Sequence, residues 1–223
     1  LDADRALTDS AAVGDWHRSY GTAYDLLMDS KARSALDLTR ESDSTRAKYG
    51  QSEFGQSALL ALRLAEAKVP YIQLNYSRDC DAFNPGFEIG WDTHIYNFEL
   101  LQDQLCPIFD RAFSSLLDDL DDRGLMDETL VVCMGEFGRT PKISNRAARD
   151  HWTKNYFSLW AGAGIEPGRV IGESDVLGEE PHSGPEVTAL NVGTTIAELA
   201  GLTSQTRAEM NVLEGGTVID ELL

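Results

Sequence analysis

The chain has 223 residues, of which 42% are hydrophobic and 25% are charged, a composition typical of a folded globular protein and too apolar for an intrinsically disordered one. Its 37 acidic and 19 basic residues give a net charge of −18, which repels phosphate backbones and argues against nucleic acid as a partner. No apolar run approaches the roughly 20 residues that a membrane span needs. We expect a single domain over residues 1–223; the alternative is that residues 1–50 form a helical subdomain or lid.

The first half of the chain alternates between helical and strand patterns. Apolar residues at steps of three and four predict a helix over residues 11–28. The polar stretch 38–56 predicts a connection with at most a short helix, and a second strong helix is predicted over residues 56–68. "VPYIQLNY", residues 69–76, is rich in β-branched and aromatic side chains and predicts a strand.

The second half repeats this alternation. A long apolar stripe predicts a helix over residues 97–124, with Pro107 as a kink or as part of an irregular start. Apolar runs at residues 129–136 and 156–165 predict strands that are covered on both faces, and a last helix is predicted over residues 192–199. This order of elements predicts an α/β fold with a largely parallel sheet flanked by helices.

Three polar clusters follow or precede the predicted strands. They are "GWDTHIYNF" at residues 90–98, "GEFGRTPK" at residues 135–142 and "RDHW" at residues 149–152. Ligand sites of parallel sheets gather where the strands end and the chain enters loops. We therefore expect the three clusters to surround one site.

The acidic and histidine side chains of these clusters are candidate metal ligands. Asp92 and His94 are separated by one residue, so in an extended loop both side chains can point to the same side and hold one cation. Asp150 and His151 are adjacent, which lets one ligate while the other orients a neighbour. Glu136, at a strand end, is a further oxygen ligand. This mixed set suits divalent Zn, Mn, Fe or Mg; the alternative is a structural ion-pair network.

Two further polar residues in the second cluster have competing interpretations. Arg139 can clamp a tetrahedral oxyanion through its planar guanidinium group. Equally, it can pair with Glu136 or Asp150 and simply fix the loop. Thr140 precedes Pro141 and is therefore held extended, so we expect its hydroxyl to form a hydrogen bond within a turn and not to act as a nucleophile.

Five ordered motifs together resemble the DUF1501 family, an uncharacterised bacterial group that is abundant in planctomycetes. They are "YGQSEFGQSALLALRLAEAKVPYIQL", "GWDTH", "GLMDETLVVCMGEFGRTPKI", "RDHW" and "AGAGIEPGRVIGESD". The resemblance covers about residues 20–202. It implies an alkaline phosphatase-like α/β core of the alkaline phosphatase and sulfatase superfamily, with one or two metals at the strand ends. It also implies that the first strand, with a metal-binding Asp and a Ser or Thr nucleophile, lies upstream of Leu1.

The resemblance assigns roles to residues of this chain. It implies a metal site whose ligands are Asp92, His94, Glu136 and His151. Arg139 and Asp150 are the implied catalytic groups, which orient the ligands or the substrate.

Three positions qualify these assignments. Glu136 stands where phosphatases of the superfamily carry an Asp-His pair. Ala148 replaces the glycine that family members show before Arg149. Asp175 of "GESD" matches a family position to which no role is assigned.

The function implied by the resemblance is that of a metal-dependent hydrolase. Its substrate would be a small anionic phosphate or sulfate ester, or a sulfated or phosphorylated glycan. The alternative is a non-catalytic metal- or glycan-binding envelope protein that retains the fold. Members of the family commonly carry a twin-arginine export signal, which implies a periplasmic or cell-envelope location.

Overall fold

The computed structural model describes Gly21, residues 30–76 and residues 90–223. Contacts divide the chain into two compact units, Leu1–Leu74 and Asn75–Leu223, and each unit is described by itself. Apart from Gly21, the helix predicted over residues 11–28 lies outside the described residues.

The described part of the first unit is helical. Its α-helices are α1 (Ser30–Leu36), α2 (Asp43–Tyr49) and α3 (Glu53–Glu66), with a 3-10 turn at Leu38–Arg40. The helix α2 is the short helix expected within the polar connection. The helix α3 begins at an N-cap, because the Ser52 hydroxyl accepts a hydrogen bond from the Gly55 amide. It buries one apolar face, which consists of Phe54, Ala58, Leu59 and Leu62.

The long helix predicted in the second unit is present but irregular near its start. It runs as α4 (Asn97–Leu100), a π-helical turn (Leu101–Leu105) and α5 (Cys106–Asp122). Pro107 lies in the first turn of α5, directly after the π-helical turn, where its missing N–H group is tolerated. The predicted irregular start at Pro107 is therefore confirmed.

The strands of the described residues form three two-stranded antiparallel sheets. These strands are β1 (Val131–Met134), β2 (Gly138–Arg139), β3 (His151–Trp152), β4 (Ser158–Ala161), β5 (Glu173–Ser174) and β6 (Pro181–Ser183). The pairs are β1 with β4, β2 with β3, and β5 with β6. The fold is thus a mixture of helices and small antiparallel sheets.

The parallel sheet expected from the sequence is not seen among the described residues. Between β1 and β4 the chain forms the β2–β3 pair and no α-helix, whereas parallel neighbours need a long crossover, usually helical. The predicted strand at residues 69–76 also belongs to no β-ladder within the described ranges.

Two helices close the chain. They are α6 (Ala189–Leu199) and α7 (Ser204–Met210), and α6 starts three residues before the predicted position. Thr188 and Asn191 form a reciprocal capping box at the start of α6. Among the described helices, none combines the length and the apolar character that crossing a bilayer requires.

Candidate metal centre

The loop that carries Asp92 and His94 is anchored by the residues directly before and after Asp92. The Trp91 ring packs edge-on against Phe109, with ring centroids 6.1 Å apart. Thr93 is buried, and its hydroxyl donates a hydrogen bond of 2.8 Å to the Asn97 side-chain oxygen at the start of α4. Because its neighbours point inward, this loop presents Asp92 and His94 toward solvent at a fixed place.

The β2–β3 pair carries the other half of the site. Its register places Arg139 opposite His151 and Gly138 opposite Trp152. A Cβ atom at Gly138 would overlap the carbonyl oxygen of Asn155, so the close approach of β2 to the segment that follows β3 requires glycine at this position. The hairpin thus brings Arg139 and His151 to one edge of the site.

One carboxylate oxygen, Oδ1 of Asp92, is the hub of the cluster. It lies 2.8 Å from Nε2 of His151, 2.7 Å from Nη2 of Arg139 and 3.1 Å from Nε2 of His94. The Asp92, His94 and His151 ligand atoms all lie within 4.8 Å of one another. The side chains of these residues are 34%, 44% and 43% exposed, so a dissolved ion or substrate can reach them.

The second ring nitrogen of His94 is held by Asp150. Nδ1 of His94 lies 3.0 Å from Oδ1 of Asp150, which is hydrogen-bonding distance. Nε2 of the same ring lies 3.1 Å from Asp92 Oδ1. A carboxylate partner on the outer nitrogen is the usual support of a metal-binding histidine.

The chemistry of the three ligand groups, and the spacing of Asp92 from each imidazole, fit a divalent cation. Tetrahedral zinc with bonds of about 2.0–2.1 Å holds its ligand atoms roughly 3.3 Å apart. The distances of 2.8 and 3.1 Å from Asp92 Oδ1 to the two imidazoles are a few tenths of an ångström shorter. One carboxylate oxygen and two imidazole nitrogens also form a donor set that Zn, Mn and Fe accept.

Asp92 is the most electrostatically perturbed residue of the cluster. The hydrogen bond with His151, followed by the one from Arg139, lowers the pKa of the Asp92 carboxyl from 3.8 to about 2. The carboxylate is consequently anionic at neutral pH, as metal ligation requires.

The structure brings together most of the predicted site residues, but with different partners in places. Asp92, His94 and His151 converge, and Asp150 contacts His94 and not its sequence neighbour. Glu136 is exposed just beyond the end of β1 and lies outside the three-residue group, so its assignment as a ligand stays a prediction.

Arg139 fixes the site through partners that the sequence did not indicate. Its guanidinium group pairs with Asp92 and also donates to the carbonyl oxygens of Trp91 and Arg149. The hydroxyl of Thr140 donates to the Lys142 carbonyl, which confirms the expected turn hydrogen bond.

The structure adds contacts that the sequence analysis missed. The Phe137 ring lies against His151 with centroids 4.3 Å apart, and the guanidinium of Arg149 donates to two carbonyl oxygens. The only signal in the sequence was an aromatic and a basic residue close to predicted ligands.

Ala148 has a φ of −80°, which any residue adopts, so the replaced glycine is not needed for backbone freedom here.

Asp175 also acquires a structural role. Its side chain accepts hydrogen bonds from the amides of Leu177 and Glu179 and so shapes the loop between β5 and β6. That loop receives the indole N–H of Trp152, which donates to the Glu179 carbonyl. Asp175 therefore supports the segment that follows His151.

Comparison with protein families matches residues 5–220 to the model described as "Protein of unknown function (DUF1501)". Comparison with curated proteins and with solved structures gave no significant match. The matched range includes every residue of the cluster. The chain therefore belongs to the DUF1501 family.

Proposed function

We propose that the protein is a metal-dependent hydrolase of phosphate or sulfate esters, with Asp92, His94 and His151 as ligands of a divalent cation. One observation carries this proposal: Nε2 atoms of two imidazoles face the same carboxylate oxygen, at 3.1 and 2.8 Å, in a solvent-accessible cluster. A cation of the Zn, Mn or Mg class satisfies all three ligands at once.

A metal held by Asp92, His94 and His151 would supply Lewis acidity, which would polarise an ester oxygen and stabilise negative charge on it. The protein residues prepare this site. Asp150 orients the imidazole of His94, and Arg139 holds Asp92 through a short ion pair. Glu136, at the rim, is the proposed additional oxygen ligand.

The finer features of the proposal rest on the family resemblance. They are an alkaline phosphatase-like core with a parallel sheet, and a periplasmic or cell-envelope location. The proposed substrate is a small anionic ester or a sulfated or phosphorylated glycan. The exposed imidazoles are compatible with a substrate that approaches from solvent.

A rival proposal is a non-catalytic metal- or glycan-binding envelope protein. It is favoured by the engagement of the Thr140 hydroxyl, which directly follows Arg139 in the chain. Thr140 Oγ1 donates to the Lys142 carbonyl at 3.1 Å and accepts from the Asp150 amide at 3.0 Å, which leaves it poorly placed to attack an ester.

The first experiment measures the metal content of the purified full-length protein by elemental mass spectrometry. We expect about one divalent transition metal per chain, its loss in a His94→Ala, His151→Ala double variant, and its retention in a His182→Ala control. His182 is exposed on β6 and outside the cluster. Equal metal in the double variant and in the wild type would refute the proposed ligands.

The second experiment separates the two proposals. The metal-loaded protein is assayed with aryl phosphate and aryl sulfate monoesters, beside the double variant. Turnover that requires both the metal and the histidines supports the hydrolase. Stoichiometric metal without turnover on either ester class overturns it in favour of the binding protein.

A further inference from the structure

We propose that Arg149 is a positioning residue of the metal centre, which holds the segments that carry His94, Arg139 and His151 in register. This inference rests on the proposed metal site. Its basis is a reciprocal pairing of two arginines at the loop end of the β2–β3 pair.

The pairing uses the guanidinium group of each arginine and the backbone of the other. Nε of Arg149 donates to the Thr140 carbonyl at 2.7 Å, and its Nη2 donates to the Arg139 carbonyl at 3.1 Å. In return, Nη1 of Arg139 donates to the Arg149 carbonyl at 3.4 Å. Two adjacent carbonyl oxygens on one segment are thus held by one rigid, planar fork.

The backbone of Arg149 ties in the third segment. Its amide donates to the His94 carbonyl at 3.1 Å, and the following residue, Asp150, contacts the His94 ring. Arg149 therefore touches both the loop with the first two ligands and the strand that pairs with the third. A shift of its side chain changes the separation between these segments, and hence the separation of the imidazoles.

Charge alone does not explain this arrangement. The acceptors of the Arg149 side chain are neutral carbonyl groups and not carboxylates. The two carbonyl oxygens require two N–H groups in a fixed fork. Lysine cannot present such a fork even though it carries the same charge. The Arg149→Lys variant therefore removes the positioning contact and preserves the local charge.

The test uses the full-length protein and two measurements. One is Zn²⁺ affinity, determined by competition with a chromogenic chelator. The other is the proton–nitrogen imidazole spectrum of the metal-free protein, with His182 as an internal reference. Arg146→Lys is the matched control, because Arg146 lies in the same loop with an exposed side chain.

For Arg149→Lys we expect Zn²⁺ affinity to fall about 10- to 100-fold, as for other outer partners of metal ligands. The imidazole resonances of His94 and His151 should shift, while the reference stays. The control should match the wild type in both measurements. Wild-type affinity in Arg149→Lys overturns the inference, and so does a loss of affinity with both cluster resonances unmoved.

The two measurements separate this inference from the proposed function. If the wild type binds no Zn²⁺, the proposed function fails, but the spectrum still decides the role of Arg149: shifted resonances support it and unshifted ones overturn it. If Arg149→Lys does not fold, Arg149→Gln is measured in the same way, since its amide can still donate to one of the two carbonyl oxygens.

Discussion

Replacing Asp92 by asparagine should destabilise the metal-free protein, because the substitution removes the negative charge of the hub. The side chain keeps nearly the same shape, so the effect of the charge is isolated. The carboxyl pKa falls from 3.8 to about 2 on folding, a shift equivalent to roughly 2.5 kcal/mol. The side chain is 34% exposed, however, and solvent screening reduces this contribution. For Asp92→Asn we therefore expect a loss of about 1–1.5 kcal/mol in the free energy of unfolding at neutral pH.

The stability lost in Asp92→Asn should become smaller as the pH falls. Because the folded-state pKa of Asp92 lies below the unfolded-state value of 3.8, the carboxylate stabilises the protein fully above that value. The contribution is lost as the pH falls through about 2, when the carboxyl is protonated in the folded state too. The stability difference between wild type and variant should therefore narrow as the pH falls below about 4.

The assay is urea unfolding in the presence of a chelator at a series of pH values from neutral to about 2. Glu136→Gln serves as the control, because Glu136 is an exposed carboxylate in the neighbouring segment, and we expect it to change stability by less than about 0.5 kcal/mol. A difference between wild type and Asp92→Asn that is equally large at neutral and acidic pH would contradict a charge-based role for the hub.

Three further substitutions test other parts of the structure. Asp150→Asn should lower Zn²⁺ affinity about tenfold by calorimetry and leave the thermal midpoint unchanged, because the Asp150 side chain is 72% exposed and supports an imidazole from outside. Gly138→Ala should cost about 1–3 kcal/mol in urea unfolding, since the added Cβ has no room, whereas Gly135→Ala, with its nearest atom 3.8 Å away, should be tolerated. Leu59→Ala should cost about 2–5 kcal/mol in the same assay, because Leu59 is fully buried in α3; a smaller loss would mean that α3 can close the cavity.

The sequence predicted which residues lie together in the cluster better than it predicted which of them contact each other. The one-residue spacing of Asp92 and His94 predicted that both side chains face one place, and they do. The partners of Asp92 lie 47 and 59 residues away, at Arg139 and His151. Such pairs depend on the register of a two-residue strand pair and on a loop anchored by Trp91, and neither has a periodic pattern in the sequence.

The pattern of apolar residues also could not predict whether the strands pair in parallel or antiparallel. The runs around β1 and β4 predicted strands at the right places, since β-branched and aromatic residues favour them. An apolar run has the same appearance in a parallel and in an antiparallel pair. The informative feature was the connection at residues 135–157, whose two glycines, one proline and scattered charges lack a helical period and therefore cannot supply the helical crossover of a parallel pair.

The contacts of Arg139 bear on two interpretations that the sequence left open. A clamp on a substrate oxyanion needs a guanidinium edge that faces the ligand, yet this side chain is only 17% exposed and Nη2 already donates to the Trp91 carbonyl and to Asp92. To bind an ester through that edge, Arg139 would have to release the ligand oxygen that it holds at 2.7 Å. In the structure, its contacts are those of a group that fixes Asp92 and the loop.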